Sequence, residues 1–339
     1  MPARDDAGIV SGMSSPRWNG AATALALCLI AGCGSGPGEG GVSRLSIATG
    51  GTGGVFYPYG GGIASLISEH LDNVEATAEV TAASVDNLKF LARGTSDLAF
   101  TMADTARDAL VARDVFGEFG AVPVRVLAVL YPSYTHLVTR DDSGIARVDD
   151  LRGRLVSDGA AGSGTAVLAA RILEAAGLDP ETDLRTQSLG VAQSVDALKD
   201  GKIDAFFWSG GLPTAAILDL ANTPGIGVRL VPTDGVLSRL EEIYGVSIYY
   251  PEVIPGQVYG LDVDTPVVAV SNLLVATESM PEDLAYDITR LLFDHQADLA
   301  TIHPQGRVLS LQAAAGTMAV PYHPGAIRYY RERQVWTER

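Results

Sequence analysis

The sequence predicts an α/β fold of two similar lobes joined by two long strands. Three observations favour this fold class: strand-like and helix-like segments alternate, a glycine-rich loop follows the first strand, and the same order of motifs recurs in the second half. Alternation at this spacing is typical of parallel sheets covered by helices. With 339 residues, 47% of them hydrophobic and 19% charged, the chain is long enough for two domains of ordinary size.

The N-terminal segment has the pattern of an export signal. Its apolar run, residues 21–31, is too short to span a bilayer but has the length of a signal-peptide core. The small residues before Cys33 resemble the bacterial lipoprotein signal. We therefore expect a lipoprotein signal peptide over residues 1–33, lipidation of Cys33, and a flexible glycine-rich tether over residues 34–43. The alternative is an uncleaved helix, or a plain export signal in which the cysteine is incidental.

Charge and cysteine content limit the classes of function. The formal net charge of −16 argues against nucleic acid as a partner and against a polybasic membrane-binding patch. Cys28 lies inside the predicted signal peptide, so the exported body would keep no cysteine besides the lipidated one, and we expect neither disulfides nor thiolate metal sites. The start of translation stays open between Met1 and Met13, because acidic residues near Met1 are unusual in a signal peptide.

The first loop is the most informative stretch of the chain. A strand beginning at Leu45 ends in the glycines of residues 50–54, and a helical pattern opens at Val55. Glycines permit close approach of a ligand to the backbone, and the first N–H groups of a helix have no partner of their own. The pattern favours a site for a small anion or carboxylate, with a tight turn that binds nothing as the alternative. Nucleotide binding is disfavoured, because Phe56 breaks the G-x-G-x-x-G spacing and no Gly-Lys-Ser/Thr follows.

The elements of the two halves are predicted in the same order. In the first half we expect a helix over 55–71, a strand over 74–81, a helix that Ser84 opens as N-cap, a strand from Asp97 and a helix over 104–112. In the second half we expect a strand over 155–157, a small-residue loop over 159–165, a helix over 166–176, a helix beginning with Ser194-Val195-Asp196, and a strand from Asp204. Because loop, helix start and strand start recur together, two similar lobes are the simplest interpretation.

Two long apolar runs, residues 124–139 and 265–277, are predicted to join the lobes. The first precedes the repeat and the second follows it, so the chain returns to its first lobe. We therefore assign residues 44–137 and 268–339 to lobe I and residues 138–267 to lobe II. Segments 282–303 and 324–336 are predicted to be helices on lobe I. This is the architecture of a periplasmic-type binding protein, which closes on its ligand by hinge motion.

Several segments together resemble one family. They are TGGTGGVFYPYG (49–60), SVDNL (84–88), DLAF (97–100), GAAGSGT (159–165), DGKIDAFFWSGGLPTAAI (200–217), IPGQVYG (254–260) and PYHPGAIRYYRE (321–332). The chain resembles the TAXI family, the extracytoplasmic solute-binding subunits of one branch of the tripartite ATP-independent periplasmic (TRAP) transporters. The resemblance implies a type II periplasmic-binding fold, a cleft between the lobes, and delivery of a small carboxylate or amino acid, such as glutamate or 2-oxoglutarate, to an ion-gradient-driven permease. The sequence departs from the family at Ala83, where glycine is common, and at Phe56, where tyrosine is usual.

The candidate ligand-binding residues lie in loops and strand ends, because the carboxyl ends of parallel strands face the cleft in open α/β sheets. From lobe I they are Thr49, Gly51, Thr52, Gly53, Gly54, Phe56, Tyr57, Ser84, Asn87, Met102 and Asp104. From lobe II they are Ser157, Gly162, Ser163, Gly164, Thr165, Trp208, Ser209, Gly210 and Tyr259. Alternatives stay open for some of them: Ser84, Asp104, Ser163 and Thr165 are also typical helix caps, and Trp208 is equally typical of a core residue.

Catalysis and metal binding are poorly supported by the sequence. A G-x-S-x-G elbow fails around Ser163 and around Ser209, and the five histidines show no metal-binding spacing. We expect no cofactor and no enzymatic activity. The leading hypothesis is a lipid-anchored solute-binding protein of the cell envelope. The alternatives are a sensor or scavenger lipoprotein that binds the same ligand, and an envelope enzyme on the same fold.

Overall fold

The computed structural model describes residues 42–245 and 247–337. The predicted signal peptide, Cys33 and nearly all of the predicted tether lie outside these residues. The described part contains ten strands: β1 Ser43–Ala48, β2 Val74–Glu79, β3 Leu98–Met102, β4 Val124–Arg140, β5 Leu155–Ser157, β6 Arg185–Gln187, β7 Ala205–Gly210, β8 Val228–Val231, β9 Tyr249–Ile254 and β10 Thr265–Thr277.

Eleven α-helices accompany the strands in the same part of the chain. They are α1 Phe56–His70, α2 Ser84–Arg93, α3 Ala103–Leu110, α4 Gly164–Ala175, α5 Val191–Lys199, α6 Ala215–Ala221, α7 Leu237–Tyr244, α8 Glu282–Asp294, α9 Gln296–Ile302, α10 Leu311–Ala314 and α11 Pro324–Glu332. Within the described ranges no helix combines the length and apolar character needed to cross a membrane.

The strands form one sheet with two parallel groups at its ends. Its order is β2-β1-β3-β10-β4-β7-β5-β6, with β8 beside β4 and β9 beside β10. β1 to β3 pair in parallel, as do β5 to β7, whereas the long strands β4 and β10 pair antiparallel with each other and with the neighbouring group. The two predicted joining runs are therefore these two strands, which connect two α/β lobes. The residues at which one lobe passes into the other stay a prediction.

The internal repeat is reproduced in the backbone hydrogen bonds. The Asp97 carboxylate accepts from the Ser46 N–H at 2.8 Å, and the Asp204 carboxylate accepts from the Leu155 N–H at 2.7 Å. In return, the N–H of each aspartate donates to the carbonyl of the same residue, Ser46 or Leu155. In each lobe the aspartate of the repeated motif thus fastens the start of its strand, β3 or β7, to the first strand of that lobe, β1 or β5. This explains why Asp opens both sequence motifs.

Several predicted helix boundaries are wrong. α5 begins at Val191, three residues before Ser194, and α11 ends at Glu332 rather than at residue 336. The segment predicted as one helix over 282–303 is two helices, because α8 ends at Asp294 and α9 begins at Gln296, on the other side of His295. Ser84 is not an N-cap: Ala83 holds that position, with a φ of +89° in the region that favours glycine. The Ser84 hydroxyl instead accepts from the Met102 N–H at 3.1 Å, so it fastens helix α2 to the end of β3.

A buried ion cluster lies between α3 and α4. The Arg171 guanidinium of α4 pairs with Asp108, with Asp114 at 2.7 Å and with Asp104 at 3.5 Å, and it donates to the Tyr249 hydroxyl at 2.9 Å. Burial raises the pKa of Asp108 to about 6, although Arg171 favours the charged carboxylate. Since α3 belongs to predicted lobe I and α4 to predicted lobe II, this cluster holds the two lobes together.

Candidate functional site

A cavity of about 410 Å³ lies where the parallel strands of both lobes end. Lobe I lines it with Gly50, Gly51, Gly54, Val55, Phe56, Val80, Thr81, Ala82, Ala83, Ser84, Met102 and Tyr131. Lobe II lines it with Ala160, Ser163, Gly164, Thr165, Ser188, Leu189, Gly190, Val191, Gln193, Trp208, Ser209 and Gly210. The volume suits a small metabolite, and both lobes contribute equally to its wall.

Four helices begin at this cavity. α1, α2, α4 and α5 contain 15, 10, 12 and 9 residues, and the first residues of each lie on the wall. The N-terminus of a helix carries a partial positive charge and N–H groups without intrahelical partners. At α2 two of these groups, the N–H of Val85 and of Asp86, donate to the Gly162 carbonyl of lobe II at 3.1 Å each. The cavity therefore has a positive electrostatic character that comes from backbone dipoles.

Glycines allow the two lobes to approach closely around the cavity. A Cβ on Gly164 would lie 2.6 Å from the Ser84 hydroxyl oxygen and 2.7 Å from the Met102 sulfur, and one on Gly54 would lie 2.8 Å from the Trp208 ring. Each of these contacts joins a residue of one lobe to a residue of the other. The glycines of both loops therefore set the distance between the lobes as well as the shape of the cavity.

Hydroxyl groups are the main polar side chains of the wall. The Ser163 hydroxyl caps α4 by accepting from the Ala166 N–H at 3.1 Å, and the Thr165 hydroxyl accepts from the Ser209 N–H at 3.2 Å. Two other wall hydroxyls, those of Tyr131 and Ser209, have no hydrogen-bond partner among the described residues, although the side chains are only 2% and 8% exposed. Because an unpaired buried hydroxyl costs free energy, these two groups are available for a ligand.

The rest of the wall is apolar or neutral. Phe56 packs against Phe100 with ring centroids 5.1 Å apart, and the Trp208 indole N–H donates to the Thr214 hydroxyl at 2.9 Å, which fixes the ring beside the cavity. Among the residues that the structure describes, none on the wall is an acid, a base or a histidine. Nearby, the Asp158 carboxylate accepts from the Ser188 hydroxyl at 3.2 Å, and burial raises its pKa. The described residues contain no group of His, Cys, Asp and Glu that would hold a metal ion.

Residues 47–333 match the model of the NMT1-like family. The chain belongs to the NMT1-like family. The match includes every described residue of the cavity wall. It is a match to the family as a whole, so the narrower TAXI resemblance stays a proposal.

Solved structures with a similar fold include binding proteins of bacterial transporters. A protein from Bordetella bronchiseptica RB50 is 17% identical, with 87% of this chain and 90% of that chain covered and a TM-score of 0.51. The binding protein component of an ABC phosphonate transporter from Pseudomonas aeruginosa is 9% identical, with 78% of each chain covered and a TM-score of 0.50. The periplasmic aliphatic sulphonate binding protein SsuA from Escherichia coli is 19% identical, with 86% and 83% covered and a TM-score of 0.47. The predicted type II periplasmic-binding fold is confirmed.

Eleven of the predicted site residues of this NMT1-like protein lie on the wall of the cavity. They are Gly51, Gly54, Phe56, Ser84, Met102, Ser163, Gly164, Thr165, Trp208, Ser209 and Gly210. For one of them the two alternatives are combined: Ser163 caps its helix and lines the cavity at the same time. Ser84 and Thr165 line the cavity but cap no helix, because their hydroxyls accept from the N–H groups of Met102 and Ser209. Contact of these wall residues with a ligand remains a prediction.

The other nine predicted residues lie elsewhere. Thr52 is exposed, Gly53 faces Val191, Ala192 and Ala216 of lobe II, and Tyr57 lines a separate surface groove. Asp104 is fully buried and belongs to the Arg171 cluster. The remaining five hold the backbone of the site in place through hydrogen bonds: Thr49 to Glu79, Asn87 to Ala48, Thr49 and Phe100, Ser157 to Ser194, Gly162 to Val85 and Asp86, and Tyr259 to His136 and Thr214.

Sequence reasoning missed two parts of the wall. The first consists of the residues that follow β2 and β6, namely 80–83 and 188–193. A signal for them was present, because these residues immediately precede the repeated Ser-Val-Asp motifs and therefore end parallel strands. The second is Tyr131, which lies in the middle of the long apolar run of β4, where nothing in the local pattern separates it from its buried neighbours.

Proposed function

We propose that this chain is an extracytoplasmic solute-binding protein that takes a small carboxylate or amino acid, glutamate-like or 2-oxoglutarate-like, into the cavity between its lobes. One observation carries the proposal. The cavity is formed equally by two lobes, contains two buried hydroxyls without protein partners, and lies at the strand ends where ligands bind in open α/β sheets. A chain of this fold that encloses such a cavity is suited to capture and release of a solute.

The proposed partner is a TRAP-type membrane permease of the TAXI branch. The support is the set of sequence segments that resemble the TAXI family; the similar structures named above include a component of an ABC transporter. A TRAP transporter and an ABC transporter differ in their energy source, which is an ion gradient for the first and ATP for the second. Uptake of solute into vesicles that contain a partner permease of the TAXI branch should collapse when an ionophore abolishes the ion gradient, and should persist without ATP. A requirement for ATP would contradict the TRAP assignment.

We further propose that the protein is anchored outside the membrane through the lipid on Cys33, and that it is not an enzyme. The first part rests on the signal-like sequence before Cys33. The second rests on the composition of the wall, whose polar side chains are hydroxyls and one amide, without a histidine, carboxylate or amine to act as acid, base or nucleophile. Labelled palmitate should enter the wild-type chain and not the Cys33→Ala variant, which tests the anchor.

The binding proposal is tested by a thermal-shift screen of residues 42–339 against dicarboxylates, oxo acids, amino acids and sugars. A ligand at a hundredfold excess over its Kd stabilises the folded state by about 2.7 kcal/mol, which a melting curve detects. The variant Gly164→Ala then locates the site. Its new methyl group meets Ser84 and Met102 across the cavity, so affinity should fall about tenfold or more.

Gly61→Ala is the matched control for this experiment. Gly61 lies on α1, and a Cβ there meets nothing within 4 Å. It should leave affinity unchanged and raise stability slightly, since alanine favours a helix more than glycine does. Equal affinity of wild type and Gly164→Ala would place the bound solute outside the cavity, and no stabilisation by any compound would contradict binding of these solute classes.

A further inference from the structure

The electrostatics of the cavity narrow the class of its ligand. We propose that the ligand is a small organic anion that carries no ammonium group, with an apolar or neutral body, so that the protein selects organic acids against the corresponding amino acids. This inference rests on the proposed function, because it concerns the solute that the cavity binds. The protein would therefore bind a 2-oxo acid in preference to the amino acid with the same carbon skeleton.

The attraction for an anion comes from the backbone. The N-termini of α1, α2, α4 and α5 meet at the cavity, and each contributes partial positive charge over its first turn. The described part of the wall contains no lysine or arginine, so no cationic side chain there supplements these dipoles. One of the four, α2, already directs two of its N–H groups to the Gly162 carbonyl, and in α4 the Ala166 N–H donates to the Ser163 hydroxyl. The remaining first-turn N–H groups of α1, α4 and α5 are left to bind an anionic group.

Two buried hydroxyls provide independent support for a polar ligand group. Tyr131 and Ser209 lie on the wall, are more than nine-tenths buried, and have no partner within the described chain. Hydroxyls donate hydrogen bonds to a carboxylate at little cost, and burial raises the pKa of Tyr131, which keeps its phenol protonated and able to donate. Both observations favour an acceptor-rich anion over a donor-rich cation.

An ammonium group would find no carboxylate among the described residues of the wall. Two carboxylates contact residues in or beside the wall without lining it: Asp158 accepts from Ser188, and Asp86 packs against Gly162. A buried ammonium without a carboxylate partner is costly, and the helix N-termini repel it. The remaining surface, which includes Phe56, Met102, Leu189, Val191 and Trp208, suits an apolar body. The zwitterionic end of an amino acid is therefore disfavoured at this site.

Titration calorimetry with matched pairs of solutes tests the inference. The pairs are 4-methyl-2-oxopentanoate with leucine, and 2-oxoglutarate with glutamate, because the two members of each pair differ in their C2 oxo or ammonium group. We expect at least one oxo acid to bind, and its amino acid to bind on the order of a hundredfold more weakly, as for a buried charged group left unpaired. An amino acid that binds as well as its oxo acid, or a neutral sugar that binds best, overturns the inference and leaves the proposed function standing.

The variant Gln193→Glu sharpens the test. Gln193 lies on the wall in the first turn of α5, where a carboxylate is compatible with the helix dipole, and the substitution keeps the side-chain shape. The substitution should weaken binding of the oxo acid about fivefold and strengthen binding of the amino acid. The effect is no larger because the new charge is exposed and partly screened. Gln312→Glu makes the same charge change on α10, outside the wall, and should leave both affinities unchanged.

The outcomes separate the two proposals. Equal effects of the two glutamate variants would mean that the long-range charge of the protein, rather than the cavity, controls selection, and would overturn the inference. If no solute of any class binds to the wild-type protein, the inference and the proposed function both fail. If only amino acids bind, and Gln193→Glu improves them, the proposed function holds and the inference is wrong.

Discussion

The two lobes use the same backbone frame but differ in the side chains that they present to the cavity. Asp97 and Asp204 make equivalent hydrogen bonds to strands β1 and β5. The equivalent serines differ, because Ser84 lies on the cavity wall and Ser194 donates to or accepts from Ser157 inside lobe II. A repeated sequence motif therefore predicts a repeated position in the fold, but it does not predict a repeated role.

The polar groups in the cores of the lobes differ as well. In lobe I the Asn87 amide donates to the carbonyls of Ala48, Thr49 and Phe100, at 3.2, 2.6 and 2.8 Å. In lobe II the repeat has Ala197 at that position, and the buried polar pair is instead Tyr259 of lobe II and His136 of β4, just before the predicted lobe boundary, whose hydroxyl and ring nitrogen are 2.9 Å apart. Lobe I thus depends on an amide that does not titrate, whereas the contact between β4 and lobe II depends on an imidazole that does.

The largest expected effect is that of Asn87→Ala. The variant leaves three carbonyls of lobe I without their donor in a fully buried position, so the free energy of unfolding should fall by about 3 kcal/mol or more. Urea denaturation measures it. Asn222→Ala, which removes a single exposed hydrogen bond to Leu218, should cost about 0.5 kcal/mol. A loss below about 1 kcal/mol for Asn87→Ala would show that lobe I does not depend on this amide.

Acid should weaken the buried contact between His136 of β4 and Tyr259 of lobe II. Burial lowers the pKa of His136 from 6.5 to about 4, so its contribution to stability is present above pH 6.5 and is lost as the pH falls through 4. The full loss is about 3 kcal/mol. Asp108 acts in the opposite direction. Because its pKa is raised, its contribution to the free energy of unfolding is largest at low pH and falls as the pH rises through 6.

The pH effect is isolated by comparing wild type with His136→Gln. Asp108 and all other groups are common to both chains, so the difference between their unfolding free energies reports His136 alone. The difference should be constant above pH 7 and should change by up to about 3 kcal/mol between pH 6.5 and pH 4, in the direction of a relatively more stable variant at low pH. Parallel curves for the two chains over that interval would rule out a titrating His136.

The two strand-fastening aspartates should have effects of the same sign but unequal size. Asp204→Ala should lower stability by about 1 to 2 kcal/mol, because it removes a charge-assisted bond to a backbone N–H. Asp97→Ala should cost about half as much, since Asp97 is more exposed. Thermal or urea unfolding measures both variants. A loss in one lobe and none in the other would contradict the equivalence of the two frames.

The smallest expected effect separates the two serines. Ser84→Ala removes one buried hydrogen bond, and Ser194→Ala removes the bond to Ser157 together with a longer one to the Leu189 carbonyl. Each variant should lower stability by about 1 kcal/mol. Only Ser84 lies on the wall, so only Ser84→Ala should also change solute affinity, by about fivefold. Calorimetry on the two variants gives the comparison, and an affinity change for Ser194→Ala of the same size would mean that the wall assignment does not identify the binding side chains.

Much of the frame could be predicted from the sequence. The strand over 155–157 and the long run over 265–277 coincide with β5 and β10, because β-type residues and loop glycines mark them locally. Asp104 shows where local signals end. It follows a strand and therefore suggested a ligand contact, yet it pairs with Arg171, which only the tertiary fold brings to it. Tyr131 was missed for the same reason, since its surroundings include Tyr59 of helix α1, which only the tertiary fold brings to it.

The most direct test of the central claim is hydrogen–deuterium exchange with and without the tightest solute from the screen. The account predicts simultaneous protection of the lobe I loops, residues 50–56 and 80–86, and of the lobe II loops, residues 160–166 and 188–193, because the solute contacts both sides of one cavity. Protection confined to one lobe, or to the surface groove beside Tyr57, would contradict a shared site between the lobes.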